Sequence, residues 1–324
     1  MTAPTVWAVT DGKAGMESQC VGLAEALGLK PDIKRIRLRK LWRDFSPYIN
    51  IFKRMAFSRK GDKLHPPWPD MVIATGRQSV LPALHIKKMS GGKTFLVQIQ
   101  NPAIPTSNFD MVIVPEHDKL DGKNVISVQG ALHRVTPEIL KAEADKWAPH
   151  FAHLPRPYVA VLLGGSNSSY RLDPAVMMQL GPQLAELSKK EKVSLLVTPS
   201  RRTGDANMVL LSALLHDCAH SIWDGKGDNP YYGILGLADA IVVTCDSINM
   251  ISESCRTGKP VYMVQLPGQS DKFSYFYQGL IDGGRIRMFN GALADNAWQS
   301  KPLDEMTRVA ALVKDAYLAK NPAK

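Results

Sequence analysis

The chain has 324 residues, 45% of them hydrophobic and 22% charged, with a formal net charge of +10. This composition belongs to a folded globular protein. No apolar run reaches the roughly 18 residues of a bilayer span, and the N-terminus lacks an export signal, so the expectation is a cytoplasmic protein. The length exceeds what one core usually serves, which predicts two domains.

The first strand candidate, TVWAVT (5–10), runs into TDGKAGMESQC. Gly12 and Gly15 allow a tight turn with exposed amides around Lys13, a loop suited to the acceptor side of a reaction. Asp11 stands at the strand tip, where a general base is useful. The loop matches neither GxGxxG nor a Walker ending, so no dinucleotide or P-loop fingerprint is present. The following helix, SQCVGLAEALG, ends at Gly28, a natural C′ residue.

Between Lys30 and Lys63 stand twelve Lys/Arg against three Asp, interleaved with Trp42, Phe45, Tyr48, Ile49, Phe52, Met55 and Phe57. This window fits a solvated face over the core, or contact with an anionic membrane surface. Nucleic acid is not expected as a partner, since no helix-turn-helix, RRM or zinc-finger signature accompanies the charge.

Further strands are predicted at 33–38, 70–75, 94–100, 110–115 and 124–129. After the fourth of these comes VPEHDKL. A His beside carboxylates can act as a base near neutral pH, so His117, with Glu116 and Asp118, is either a second candidate base or an ordinary surface loop. No other His is spaced to complete a metal site. The four cysteines, Cys20, Cys218, Cys245 and Cys255, form no CxxC pair.

Pro149, Pro155 and Pro157 interrupt the pattern over 146–158 and predict a linker, giving domains 1–148 and 158–300. The last helix, 303–320, is free to pack back on the first domain. Strands follow at 158–165, 193–200, 219–224, 240–245, 261–266 and 286–289. Asp173 with Pro174, and Asn229 with Pro230, read as helix starts. Solid apolar strands alternating with helices predict an α/β fold of two doubly wound parallel-sheet domains facing each other across a cleft. Ligands of such sheets lie beyond the carboxyl ends of the strands.

Four loops at those ends in the second half carry polar chemistry. LLGGSNSSY places Gly165, Ser166 and Asn167 where backbone and short side chains can hold phosphate oxygens. TPSRRTG adds Ser200, Arg201, Arg202 and Thr203, and Arg matches phosphate through its planar fork. In CDSINMISESC, Asp246 and Ser247 suit a helix N-terminus, and Asp246, Asn249 and Glu253 share a face opposite Ile248, Ile251 and Cys255. Glu253 lies too deep in the helix for capping, and a carboxylate there can accept ribose hydroxyls. LPGQSDKF brings Gln269, Ser270 and Lys272 within reach of a sugar or phosphate.

TDGKAGMESQCVGLAEAL, IATGRQS, VIVPEHD, LLGGSNSSY, TPSRRTG and CDSINMISESCRTGKPVY together resemble the bacterial members of the mitochondrial fission protein family, often labelled nucleoside-diphosphate-sugar epimerase. The resemblance covers nearly the whole chain. Its second half is similar to the sugar-nucleotide half of GT-B glycosyltransferases, at Ala238, Asp239, Ser247, Glu253, Gly258 and Pro260. That similarity implies a GT-B fold in which the Glu holds the ribose. The leading expectation is therefore a metal-independent glycosyltransferase using a nucleoside-diphosphate sugar as substrate, with no further cofactor. A lipid-linked acceptor at the inner membrane would suit the basic window. The alternatives are a non-hydrolysing nucleoside-diphosphate-sugar 2-epimerase and a non-catalytic membrane or fission adaptor on the same scaffold.

Overall fold

The computed structural model describes residues 3–46, 57–293, 298 and 300–322. The chain divides into two compact units, Met1–Arg134 with Asp304–Lys324, and Val135–Leu303. In the first unit, β1 (Val6–Thr10), α1 (Ala14–Ala26), β2 (Asp32–Arg35), α2 (Lys40–Phe45), β3 (Met71–Thr75), α3 (Val80–Met89), β4 (Phe95–Ile99), β5 (Met111–Pro115) and β6 (Val125–Val128) follow in order. Their six strands form one sheet, β2-β1-β3-β4-β5-β6, parallel throughout.

Pleating divides the strand residues between two cores. Val6 and Ala8 pack with Leu23 of α1, whereas Trp7 and Val9 pack with Val80, Ala83 and Ile86 of α3. Helix α1 stops at Gly28, whose φ of 74° suits glycine. Gly28 N–H donates to Glu25 O and Leu29 N–H to Ala24 O, both at 2.9 Å, a Schellman closure.

The second unit contains α4 (Pro137–Phe151), β7 (Tyr158–Leu163), α5 (Pro174–Glu191), β8 (Ser194–Pro199), α6 (Asp205–Leu214), β9 (His220–Ile222), α7 (Tyr231–Leu237), β10 (Ala240–Thr244), α8 (Ile248–Arg256), β11 (Val261–Val264), α9 (Asp271–Asp282) and β12 (Arg287–Met288). The six strands are parallel in the order β12-β11-β10-β7-β8-β9. A final helix, α10 (Glu305–Lys320), packs on the first unit. Its Val309, Val313 and Tyr317 join the α1 core, and Tyr317 meets Phe95 edge-on at 5.5 Å.

The structure moves the expected boundary. The predicted linker 146–158 begins inside α4, which runs through Pro149 to Phe151. Helix α4 belongs to the second unit because it packs on α7. A Cβ on Gly233 would lie 2.4 Å from Trp147 Cδ1, and one on Gly236 would lie 2.4 Å from Leu140 O. Only glycine lets the two helices approach so closely. The start of α7 also shifts: Pro230 is its N-cap residue, and Asn229 Oδ1 accepts from Tyr231 N–H at 3.0 Å.

Candidate functional site

Each sheet reverses its order of strand addition once, and the switch point opens a crevice at the carboxyl edge. In the second unit it lies between β7 and β10, next to Gly164–Gly165 and Cys245–Ser247. At its base sits Asp246, with its side chain fully buried. Asp246 Oδ2 accepts from Gly165 N–H at 2.9 Å and from Arg202 Nη2 at 2.7 Å, and Oδ1 accepts from Thr244 Oγ1 at 2.7 Å. Thr244 Oγ1 in turn accepts from Gly164 N–H at 2.8 Å. The carboxylate thus fills the anion seat that the glycine turn offers.

The paired glycines follow from this packing. A Cβ on Gly164 would stand 2.1 Å from Asp246 Oδ1, and one on Gly165 would stand 2.1 Å from Arg202 O. Asp246 is therefore no helix cap. Ser247 caps α8, its Oγ accepting from Met250 N–H at 3.3 Å.

Most of the side chains expected near a ligand bond to the loops themselves. Ser200 Oγ donates to Gly164 O at 2.7 Å, and Thr203, almost wholly buried, donates to Leu163 O at 3.1 Å. Arg202 also donates to Gly165 O at 3.1 Å, so its fork is largely committed. Ser166 Oγ both accepts from Leu172 N–H at 3.0 Å and donates to Leu172 O at 3.1 Å. Asn167 Oδ1 accepts from Ser169 and Tyr170 N–H at 2.7 and 2.8 Å, while Nδ2 donates to Asp246 O at 3.1 Å.

The loop after β11 joins this group. Arg171 N–H donates to Pro267 O at 2.9 Å, Gln269 N–H donates to Ser169 O at 3.1 Å, and Tyr170 stacks on Phe273 at 5.6 Å. The loops after β7, β8, β10 and β11 thereby converge on one edge. Arg201, Gln269 and Lys272 are exposed there, with Ser247, Asn249 and Ser270 half-buried. Arg201 makes no ion pair among the described residues.

Glu253, expected as a carboxylate for ribose hydroxyls, is buried and already bonded within the protein. It is 6% exposed, and its neighbours Ser252 and Ser254 are fully buried. Tyr231 Oη donates to Glu253 Oε2 at 2.7 Å, and burial together with this carboxylate pushes the phenol pKa well up. The α4–α7 contact thus positions the tyrosine that holds Glu253. Lys259 closes the same region by donating to Leu235 O and Gly236 O at 2.7 and 2.6 Å. Burial pulls its pKa down to about 8. Tyr231, Thr244 and Lys259 were not singled out from the sequence.

In the first unit the switch point lies between β1 and β3. Gly12 has a φ of 80°, Gly15 lies in the first turn of α1, and Asp11 Oδ2 is 2.6 Å from Lys13 Nζ. His117 sits in a 3-10 turn, Glu116–Asp118, its imidazole buried and its Nε2 3.8 Å from Asp118 Oδ1. Three strand spacings, about 14 Å, separate the ends of β1 and β5, so the structure does not unite the two candidate bases. Among the described residues no group of three His, Cys, Asp or Glu is placed to hold a metal, and no helix is long and apolar enough to cross a membrane.

Comparison with known proteins places this geometry. Mitochondrial fission protein ELM1 of Arabidopsis thaliana is 27% identical, over 96% of this chain and 91% of its own length. The UDP-GlcNAc 2-epimerase of Methanocaldococcus jannaschii superposes with a TM-score of 0.60 at 11% identity, covering 96% of this chain and 99% of that one. The M. jannaschii epimerase in complex with UDP-GlcNAc and UDP gives 0.55 at 11% identity, with the same coverage. The two doubly wound parallel sheets are GT-B-like, and the family model Mitochondrial fission ELM1 matches residues 14–317. The chain belongs to the mitochondrial fission ELM1 family.

Proposed function

We propose that the carboxyl edge of the second sheet binds a nucleoside-diphosphate sugar and that the protein transfers the sugar to an acceptor hydroxyl. The observation that carries this reading is the convergence of four polar loops at the β7–β10 switch point, with Arg201 exposed above a rigid, internally bonded floor. The acceptor oxygen attacks the anomeric carbon and the bond to the diphosphate breaks. Arg201 and the first amides of α8 and α9 take up the charge of the leaving group, the main electrostatic demand of the step. Asp11, just beyond β1 in the first unit, is the candidate base. His117 suits that role less, because its imidazole is buried. Glu253, fixed by Tyr231, faces the ribose. The solved relative with UDP-GlcNAc and UDP supports the substrate class.

A thermal-shift screen of UDP, GDP, ADP, CMP and TDP conjugates tests the reading. At 100 times its dissociation constant the matching ligand adds about 2.7 kcal/mol. Conversion of the sugar nucleotide without any acceptor would assign a 2-epimerase instead. No stabilisation by any conjugate would assign the non-catalytic adaptor suggested by the family's name.

A further inference from the structure

Independently of the nucleotide site, the first unit carries a groove of about 690 Å³ on its α3 flank, a size typical of small-molecule sites. The segment 57–68 builds it. Ser58 N–H donates to Arg37 O at 2.8 Å and Asp62 N–H donates to Arg35 O at 3.0 Å, so the segment runs antiparallel to the strand extension after β2. It then turns back beside α3, leaving Phe57, Leu64, Trp68 and Met89 lining an apolar channel. Phe57 and Trp68 both meet the His85 ring, at 5.5 and 6.4 Å, and Trp68 leans on Trp7 at 5.9 Å. Met89 nevertheless remains 44% exposed.

The rim is cationic. Arg59 and Lys63 line the groove, are exposed, and have no ion pair among the described residues. The one acid in the lining, Asp62, accepts from Arg35 N–H at 2.7 Å. Exposed Arg37, Arg39, Lys40, Arg43 and Lys60 extend the positive field. The remaining part of the basic window, with Tyr48, Ile49, Phe52 and Met55, lies outside the described residues.

We propose that this groove binds one anionic membrane lipid, with its acyl chain along Phe57, Leu64, Trp68 and Met89 and its phosphate between Arg59 and Lys63. An apolar groove with exposed cations in its lining, free of ion pairs among the described residues, matches a chain with an anionic head. A second copy of the protein would set like charges against each other. The site would hold the first unit on an anionic leaflet through a specific lipid, beyond the diffuse attraction of the basic window.

The test uses the full chain, decyl phosphate below its micelle concentration, inorganic phosphate, and vesicles of phosphatidylcholine with or without phosphatidylglycerol. Decyl phosphate should change the tryptophan fluorescence saturably, and inorganic phosphate at equal concentration should not. The protein should sediment only with phosphatidylglycerol vesicles. Arg59→Ala with Lys63→Ala should weaken decyl phosphate binding about thirtyfold. Met89→Glu, at a position exposed enough to tolerate it, should abolish that binding without moving the thermal midpoint. Three outcomes would overturn the proposal: inorganic phosphate reproducing the response, Met89→Glu binding anionic vesicles like wild type, or capture of acidic peptides with no lipid binding.

Discussion

Replacing Asp246 tests whether its carboxylate organises the second unit's loops. Asp246→Ala removes the acceptor for Gly165 N–H, Thr244 Oγ1 and Arg202 Nη2. The first two donors are buried, and each costs about 1–3 kcal/mol when stranded. The Arg202 side chain is 42% exposed, so its share is discounted toward the small worth of a surface pair. The two buried donors together give about 2–6 kcal/mol, to which the Arg202 pair adds little. Asp246→Asn keeps the shape and its carbonyl can serve Gly165 and Arg202, but its amide faces Thr244 Oγ1, whose buried hydroxyl proton then loses its acceptor. That stranded donor and the ionic part are lost together, about 1–3 kcal/mol. For a unit of this size the alanine variant should melt roughly 4–24 °C lower in scanning calorimetry, and the asparagine variant about half as much lower. Exchange of the Gly165 amide should accelerate most in the alanine variant. If both variants stay within about 0.5 kcal/mol of wild type and the Gly165 amide remains protected, the carboxylate is not what holds these loops.

Gly236→Ala should destabilise the second unit by about 1–3 kcal/mol in urea titration, since its Cβ meets Leu140 O at 2.4 Å. Glu253→Gln should leave the fold intact by circular dichroism while lowering nucleotide affinity; unchanged affinity by calorimetry would remove Glu253 from the site. Lys259 gives a pH signature. Its folded pKa of about 8 lies below the ordinary value near 10.4, so the unfolded chain binds more protons between these limits. Its contribution therefore makes stability rise with pH across that window. Lys259→Met should flatten the rise, and at pH 7 the loss of its bonds to the terminal carbonyls of α7 is offset by the lifted penalty of the buried charge.

The strands were legible because both faces of each sheet are covered, which makes β3, β7 and β10 continuous apolar runs. The helix start at Asp173 was legible too, because the cap is local: Asp173 Oδ1 accepts from Val176 N–H at 3.0 Å. The boundary after Arg134 was not. Pro149 reads as a breaker, yet α4 continues through it, stabilised by contacts with α7 far along the chain. The site was half legible for the same reason. Periodicity grouped Asp246, Asn249 and Glu253, but the partners of Asp246 and Glu253 come from other elements. Arg202 reaches Asp246 from the loop after β8, and Tyr231 reaches Glu253 from α7. Strand order decides those meetings, and local spacing carries no trace of it.

Whether the carboxyl edge of the second sheet is a diphosphate site can be measured directly by calorimetric titration of the wild type and Arg201→Ala with a nucleoside diphosphate and its bare nucleoside. Arg201 is exposed and unpaired among the described residues, so its removal should spare the fold. The account predicts that the wild type binds the diphosphate more tightly and that Arg201→Ala loses affinity for the diphosphate while its affinity for the nucleoside is nearly unchanged. Equal losses for both ligands, or no heat with any nucleoside diphosphate in the wild type, would contradict it.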